Sequence, residues 1–350
     1  MMKDLKAFTL EQLLEEMRTI GEKPFRAKQI YEWSHQKLAR SYDEMTNISA
    51  SLKERLRENY SFVQLSVVRM QESQLDKTRK YLFALPDGHM VETVWMKYHH
   101  GNSVCISSQV GCRMGCRFCA STLDGLARSL SASEMLEQIY EVTRQTGERV
   151  SNVVVMGTGE PLDNYDNLLQ FLRMLTDEFG LHISQRNVTV STCGLVPKMR
   201  ELAKEHLQIT LALSLHATLD ERRKEIMPIA NTYTIAQLME ACAYYFEQTG
   251  RRITFEYSLI GGVNDSEQEA ERLAELAAPL NCHVNLIPIN PVKEREYKES
   301  SRASVLAFKN KLEKKQINVT IRREMGRDID GACGQLRRQY VHKQEEQQAE

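Results

Sequence analysis

The chain has 350 residues, a net charge of −1 and 42% hydrophobic residues. That length suits one large domain plus an accessory one, and the near-neutral balance excludes nucleic-acid binding by bulk charge, so such a role needs local basic patches. No apolar run reaches the ~18 residues of a membrane span, and the N-terminus MMKDLKAFTLEQLLEEM lacks a signal-peptide apolar core; a soluble, cytoplasmic protein with no membrane association is expected, in which eight cysteines stay reduced and their clustering points to metal or redox chemistry.

Residues 1–60 read as helical. Leu10, Leu13, Leu14 and Met17 recur at helical spacing behind a plausible N-cap at Thr9. Further helices are predicted over Pro24–Lys37, with Pro24 suited to the first turn, and over Leu52–Tyr60. Lys23, Arg26, Lys28, Lys37 and Arg40 make the second segment basic. That face reads either as solvated surface or as a small RNA-contacting module.

Residues 79–97 read as a β-hairpin, two alternating strands around Pro-Asp-Gly. Glu92 lies in the second strand, and spacing alone makes it an exposed strand carboxylate. From about 103 to 322 short apolar strands alternate with helical segments. The strands are predicted at 103–107, 152–156, 187–191, 209–215, 253–259, 283–288 and 318–322, with helices such as 132–145 and 266–280 between them. This repetition implies a parallel sheet covered by helices and favours a full or partial barrel. The polar tail VHKQEEQQAE (341–350) is expected to be disordered.

In such folds ligands bind at the carboxyl ends of the strands. GTGEPL, with Gly157, Gly159, Glu160 and Pro161, follows the second parallel strand. Ser191 closes the third, Ser214, Leu215 and His216 close the fourth, IGGVND follows the fifth, and Asn290 follows the sixth. Each turn alone is ordinary loop composition; their recurrence over consecutive strands points to a binding site. GTGEPL lacks the third glycine of a dinucleotide fingerprint, and no Walker A motif occurs. Gly157 and Gly159 suit a close backbone approach by a ligand, and Glu160 an ammonium. GCRMGCRFCAS follows the first strand and places Cys112, Cys116 and Cys119 at C-x3-C-x2-C. A closed zinc or iron–sulfur site takes four ligands. Three cysteines leave one iron of a cluster open to a ligand's amino and carboxylate groups.

This spacing after a first βα strand, with the Gly-Gly-Glu-like turn after the second, resembles the radical S-adenosylmethionine (SAM) superfamily. SSQVGCRMGCRFCAS, VVVMGTGEPLDN, LALSLHA, NLIPINP and DIDGACGQL resemble, over about residues 10–340, the RlmN/Cfr family of RNA adenine methyltransferases. The resemblance implies a partial (βα)6-type radical SAM barrel over 103–325. Around it stand an N-terminal helical accessory domain over 1–75, a β-hairpin extension over 76–102, a catalytic segment over 326–340 and the tail. It implies a [4Fe–4S] cluster on Cys112, Cys116 and Cys119, and two SAM molecules per turnover, with Gly159, Glu160, Ser191, Ser214, Leu215, His216 and Asn290 as SAM contacts.

An adenine C2 has no nucleophilic character, so methyl transfer by simple displacement is closed to it. The resemblance implies instead that Cys333 is methylated and that a 5′-deoxyadenosyl radical removes hydrogen from its S-methyl group. The methylene then adds to C2, giving a protein–RNA adduct. Glu92 is implied as proton acceptor, and Cys105 resolves the adduct through a transient disulfide with Cys333. Cys193, Cys242 and Cys282 match no catalytic position. Two departures from the family pattern, Thr158 for methionine and Cys193 for serine, alter no implied ligand atom. The implied partners are 23S rRNA at the peptidyl-transferase centre, tRNA at the adenosine beside the anticodon, and an electron donor such as flavodoxin or ferredoxin, with the enzyme a monomer. The target adenosine has to be lifted out of its stack. Arg113, Arg117, Arg128, Arg322, Arg323 and Arg327 are candidates for phosphate contacts. Two other readings stand beside this one. Cfr-type methylation at C8, which confers antibiotic resistance, uses the same cysteines, and Pro161, where Cfr-like chains tend to carry alanine, favours C2. A zinc-containing RNA-binding protein without catalysis is the reading from another class.

Overall fold

The computed structural model describes residues 2–99, 101–289, 296–329 and 334–340. Its N-terminal part holds three helices, α1 (Leu10–Thr19), α2 (Pro24–His35) and α3 (Ala50–Asn59). Thr9 caps α1 in a reciprocal box with Gln12, and Pro24 occupies the first turn of α2, where no amide donor is needed. Strands β1 (Ser66–Glu72), β2 (Arg79–Ala84), β3 (Met90–Tyr98) and β4 (Gly101–Ile106) follow as an antiparallel meander.

From β4 the chain becomes parallel. The order is α4 (Ala132–Thr146), β5 (Val150–Val155), α5 (Tyr165–Thr176), β6 (Val188–Thr192), α6 (Val196–Lys204), β7 (Thr210–Ser214), α7 (Asp220–Ile226), α8 (Ile235–Thr249), β8 (Ile253–Leu259), α9 (Glu267–Ala277), β9 (Cys282–Pro288), α10 (Arg302–Lys314) and β10 (Val319–Ile321). All ten strands form one sheet whose spatial order equals their chain order, with β1 and β10 at opposite edges. Seven parallel strands joined by six helix-bearing crossovers make an open barrel of the expected kind. Capping boxes at Ser131–Glu134 and Thr234–Gln237 start α4 and α8, and left-handed Gly147 and Gly250 stop them. No helix among the described residues is long and apolar enough to cross a membrane.

Two boundaries differ from the sequence reading. Strand β1 pairs with β2, so residues 66–72 belong to the sheet and not to the helical module. The hairpin is continuous with the barrel, because β3 pairs with β4 from Val94–Cys105 to Tyr98–Gly101. The helical module is fixed to α4 by charge buried on both sides. Lys6 Nζ lies 2.7 Å from Glu137 Oε1 with both side chains fully buried, and it donates to the Val63 carbonyl at 2.9 Å. His35 Nδ1 meets the Tyr140 hydroxyl at 2.7 Å, and Arg40 pairs with Glu141.

Strand alternation positions the site. Val104 and Ile106, Val188 and Val190, Leu211 and Leu213, and Phe255 and Tyr257 join the main core under the helices. Their neighbours of opposite parity, Cys105, Ser191, Ser214, Glu256 and Ser258, point to the inside of the sheet and wall a cavity.

Candidate functional site

The cavity holds about 490 Å³ and reaches from mid-sheet to the carboxyl ends of the strands. Cys105 on β4, Ser191 on β6, Ser214 on β7 and His216 just beyond it all line it. Ser191 Oγ and Ser214 Oγ lie 3.4 Å apart. His216 has φ +56° and is buried; its Nδ1 accepts the Ser258 amide at 2.9 Å and its ring meets Phe118 edge-on at 4.9 Å. Burial pulls its pKa down to about 3, with the Arg223 charge adding to the effect, so the ring is a neutral Nε2–H tautomer.

Leu215 is brought to the same strand end but not to the cavity. It has the parity of Leu211 and Leu213 and is buried in the main core, while its amide donates to the Glu256 carbonyl. Asn290 and Cys333 lie outside the described residues.

The glycines of GTGEPL do something other than expected. A Cβ on Gly157 would lie 2.6 Å from the Ile106 carbonyl oxygen, and one on Gly159 (φ +112°) 2.6 Å from Gln109 Cβ. The close approach is therefore made by the chain itself, where the cysteine-bearing loop leaves β4. Gln109 completes the clamp: its Oε1 accepts the Glu160 amide at 2.9 Å. Glu160 is buried, with one carboxylate oxygen on the Leu162 amide (3.0 Å) and the other on the Cys193 amide (2.7 Å). Burial raises its pKa while these two amides oppose the rise. The Thr192 and Cys193 side chains also hydrogen-bond to this carboxylate.

The cysteine loop is built against a small apolar core of its own. Cys116 packs with Cys193, Ala217, Ile226, Met227 and Ile260, with Met114, Phe118 and Cys119 against them. Cys119 faces the cavity, and Cys112 and Cys116 are buried behind it. Thr122 Oγ1 donates to the carbonyls of both Cys116 and Cys119 at 3.0 Å, closing the loop. Burial pushes the Cys112 thiol up to about 12 and the Cys116 thiol up as well. Such thiols become thiolates only against a bound cation. Among the described residues no three His, Cys, Asp or Glu groups are placed to hold one metal ion. An iron–sulfur cluster does not require such convergence, because each iron takes its own thiolate. Three soft ligands on one loop, an apolar wall and an adjoining cavity fit that group.

Glu92 overturns its reading from spacing. It is buried (4% exposed), because residues 92, 94 and 96 share the inner face of β3. Its Oε2 lies 3.0 Å from Lys80 Nζ, itself fully buried. The same oxygen accepts the Gly334 amide at 2.5 Å, and Oε1 accepts the Arg337 amide at 2.7 Å. The C-terminal segment is thereby tied across the cavity. Asp76 receives the Gly326 amide, Asp328 receives Ser73 Oγ and the Gln74 amide, and Asp124 pairs with Arg337. Gly334 lies against the turn after Cys119: a Cβ there would sit 3.0 Å from the Ser121 nitrogen.

The basic candidates divide. Arg113 is held by Asp163, and Arg128 by Asp87 and Glu134. Arg322, Arg323 and Arg327 line the cavity. In the helical module Lys28 lies over Phe179 and Lys37 over Trp33. Residues that motif reading missed are Lys80, Gln109, Arg223 and Glu256. Glu256 stands on the cavity wall with Oε2 accepting from Asn285 at 2.9 Å, and burial raises its pKa. A carboxylate between Phe255 and Tyr257 was a parity signal for an inward polar position.

Residues 106–275 match the family model described as Radical SAM superfamily, and residues 3–61 that described as ribosomal RNA large subunit methyltransferase N-terminal domain. The chain is 64% identical to a probable dual-specificity RNA methyltransferase RlmN of Lachnospira eligens, over 97% of each chain. The chain belongs to the RlmN family. Membership extends to Clostridioides difficile, whose probable dual-specificity RNA methyltransferase RlmN is 53% identical over 96% of this chain and 98% of its own. The crystal structure of a radical SAM methyltransferase from Sphaerobacter thermophilus superposes with a TM-score of 0.91 at 41% identity, covering 95% of this chain and 98% of that one. The family's cofactors are a [4Fe–4S] cluster and SAM, and the enzyme class is radical SAM RNA methyltransferase.

Proposed function

We propose that this enzyme methylates C2 of an adenosine in RNA, with 23S rRNA and tRNA as substrates and a flavodoxin or ferredoxin as electron donor. Support comes from the segment that follows Cys333. It is anchored by Glu92 and packed on the turn after Cys119, beside a cavity walled by Cys105 and Cys119.

Cys112, Cys116 and Cys119 would hold the cluster, and the strand-end polar groups around Ser191, Ser214 and His216 would hold SAM. Together these cofactors supply, when bound, a strongly reducing electron and a carbon radical able to remove hydrogen from a methyl group. The protein's own groups do the rest. Cys333 carries the methyl group as a thioether. Cys105 stands one strand from β3 on the same inner face as Glu92, opposite Val94. Once the methylene–C2 adduct has lost one electron, returned to the cluster, and the C2 proton, the Cys105 thiolate attacks the Cys333 sulfur; the carbon–sulfur electron pair stays on the exocyclic carbon, which takes up a proton to become the methyl group, and a Cys105–Cys333 disulfide remains. Glu92 takes the C2 proton. Since its oxygens already serve two amides and Lys80, proton uptake is coupled to how the C-terminal segment sits. Arg322, Arg323 and Arg327 at the cavity are suited to RNA phosphates.

The test is methylation of 23S rRNA and tRNA fragments by the reconstituted enzyme, with mass mapping of the product. Cys333→Ala gives no methylated base, and Cys105→Ala gives protein covalently joined to RNA. Normal turnover by Cys105→Ala without an adduct removes its resolving role, and a C8 product overturns the C2 assignment.

A further inference from the structure

Arg223 on α7 is fully buried, yet it belongs to no motif that assigns it a role. Its Nε donates to the Leu215 carbonyl at 3.1 Å. Its Nη2 donates to the Cys193 carbonyl at 2.7 Å and to the Ser214 carbonyl at 3.1 Å. One guanidinium therefore gathers the carboxyl ends of β6 and β7, where the cavity's serines stand. Its Nη1 is buried with no hydrogen-bond partner, and among the described residues Arg223 makes no ion pair with a carboxylate. Glu160 comes nearest in the bonding pattern, but through the Cys193 peptide: it accepts the amide of that residue while Arg223 donates to its carbonyl.

A buried cation without a counter-ion is strongly disfavoured, and carbonyl dipoles offset only part of the cost. The other contacts of α7 lie against the cysteine loop. The Ile226 carbonyl, at the end of the same helix, accepts the Arg117 amide at 2.9 Å, inside the cysteine loop. Ile226 also shares a small apolar core with Cys116 and Cys193. Burial works against the Arg223 charge, and the carboxylate of Asp220 on the same helix works for it.

We propose that Arg223 is the buried counter-cation of the Cys112, Cys116 and Cys119 thiolates: held by three carbonyls behind the loop, its fixed charge offsets the negative charge of the thiolate-ligated cluster and raises the cluster's midpoint potential. A cation in a low-dielectric wall acts strongly on a nearby redox group, and stabilises its more negative, reduced form. Arg223 is a positioning and electrostatic residue in this role and touches no substrate.

The inference rests on those three cysteines holding the family's cluster, so iron and sulfide are first measured in the anaerobically reconstituted parent and in Cys116→Ala. A parent without a cluster, or a Cys116→Ala variant that keeps a full one, overturns that reading separately. The midpoint potential is then read by a redox titration followed by electron paramagnetic resonance in the parent, Arg223→Lys and Arg223→Gln. Lysine keeps the charge but loses the forked donor geometry; glutamine loses the charge. The expected result is a cluster at nearly the parent potential in Arg223→Lys and a shift to more negative potential in Arg223→Gln. If Arg223→Gln fails to hold a cluster while Arg223→Lys holds one near the parent potential, the charge requirement stands. Parent-like potential in a fully loaded Arg223→Gln, equal shifts in both variants, or loss of the cluster in both overturns the proposal in favour of a clamp on the strand ends.

Discussion

Glu92→Gln separates the docking of the C-terminal segment from everything else the fold does. In the parent, both carboxylate oxygens accept backbone amides, from Gly334 at 2.5 Å and Arg337 at 2.7 Å, and one also faces Lys80 at 3.0 Å. Glutamine has the same shape but one accepting oxygen, so its NH2 group must face a donor. The variant loses one charge-assisted bond, about 2 kcal/mol, and weakens the other by about 1 kcal/mol, at the lower end because these bonds are only part-buried. The sum of about 3 kcal/mol corresponds to roughly a hundredfold easier opening of the segment. The assay is amide hydrogen exchange over 334–338, with circular dichroism confirming that the barrel stays folded. Exchange of Gly334 and Arg337 should accelerate by about that factor, while amides of the parallel strands keep their protection. A folded Glu92→Gln protein with unchanged exchange at these two amides would refute the anchoring argument.

Two further predictions concern the attachment of the helical module. Lys6→Met leaves Glu137 buried with Arg144 as its remaining ion-pair partner, and should cost about 1.5–3 kcal/mol in urea unfolding, whereas Lys6→Met with Glu137→Leu should recover part of that; additive losses would show that the two charges are not a coupled pair. His35 is fully buried, and burial, helped by the Lys6 charge, pulls its pKa down to about 3 from 6.5. Because the folded value is the lower one, its contribution is complete above pH 6.5 and is lost as pH falls toward 3, at up to about 1.4 kcal/mol per pH unit. His35→Gln should flatten the acid limb of stability measured by thermal unfolding between pH 6.5 and 4, and an unchanged slope would exclude His35 as its source.

Much of this molecule was legible in the chain. Capping signals at Thr9, Ser131 and Thr234, the Pro-Asp-Gly turn and the run of short apolar strands are local, and local rules placed the elements within a few residues. The three-cysteine spacing is also local, because an eight-residue loop can present three sulfurs without help from the rest of the fold. Other features depended on distance in space. Glu92 reads as a surface carboxylate until β2, the turn after Cys119 and residues 334–337 close over it. Gly157 and Gly159 read as space for a ligand until β4 and Gln109 fill that space.

The sequence by itself determined which elements form and which face of each strand is apolar, since these follow from side-chain chemistry and periods of 2 and 3.6 residues. Only the tertiary structure decided which polar groups share one cavity and which are spent on the protein's own backbone. Parity sends Ser214 inward and Leu215 outward although they are neighbours. It also sets Glu92, on the antiparallel strand, beside the amide of Gly334, 242 residues away. Burial and hydrogen-bond partnership belong to positions in space, and no stretch of chain carries them until the sheet is assembled.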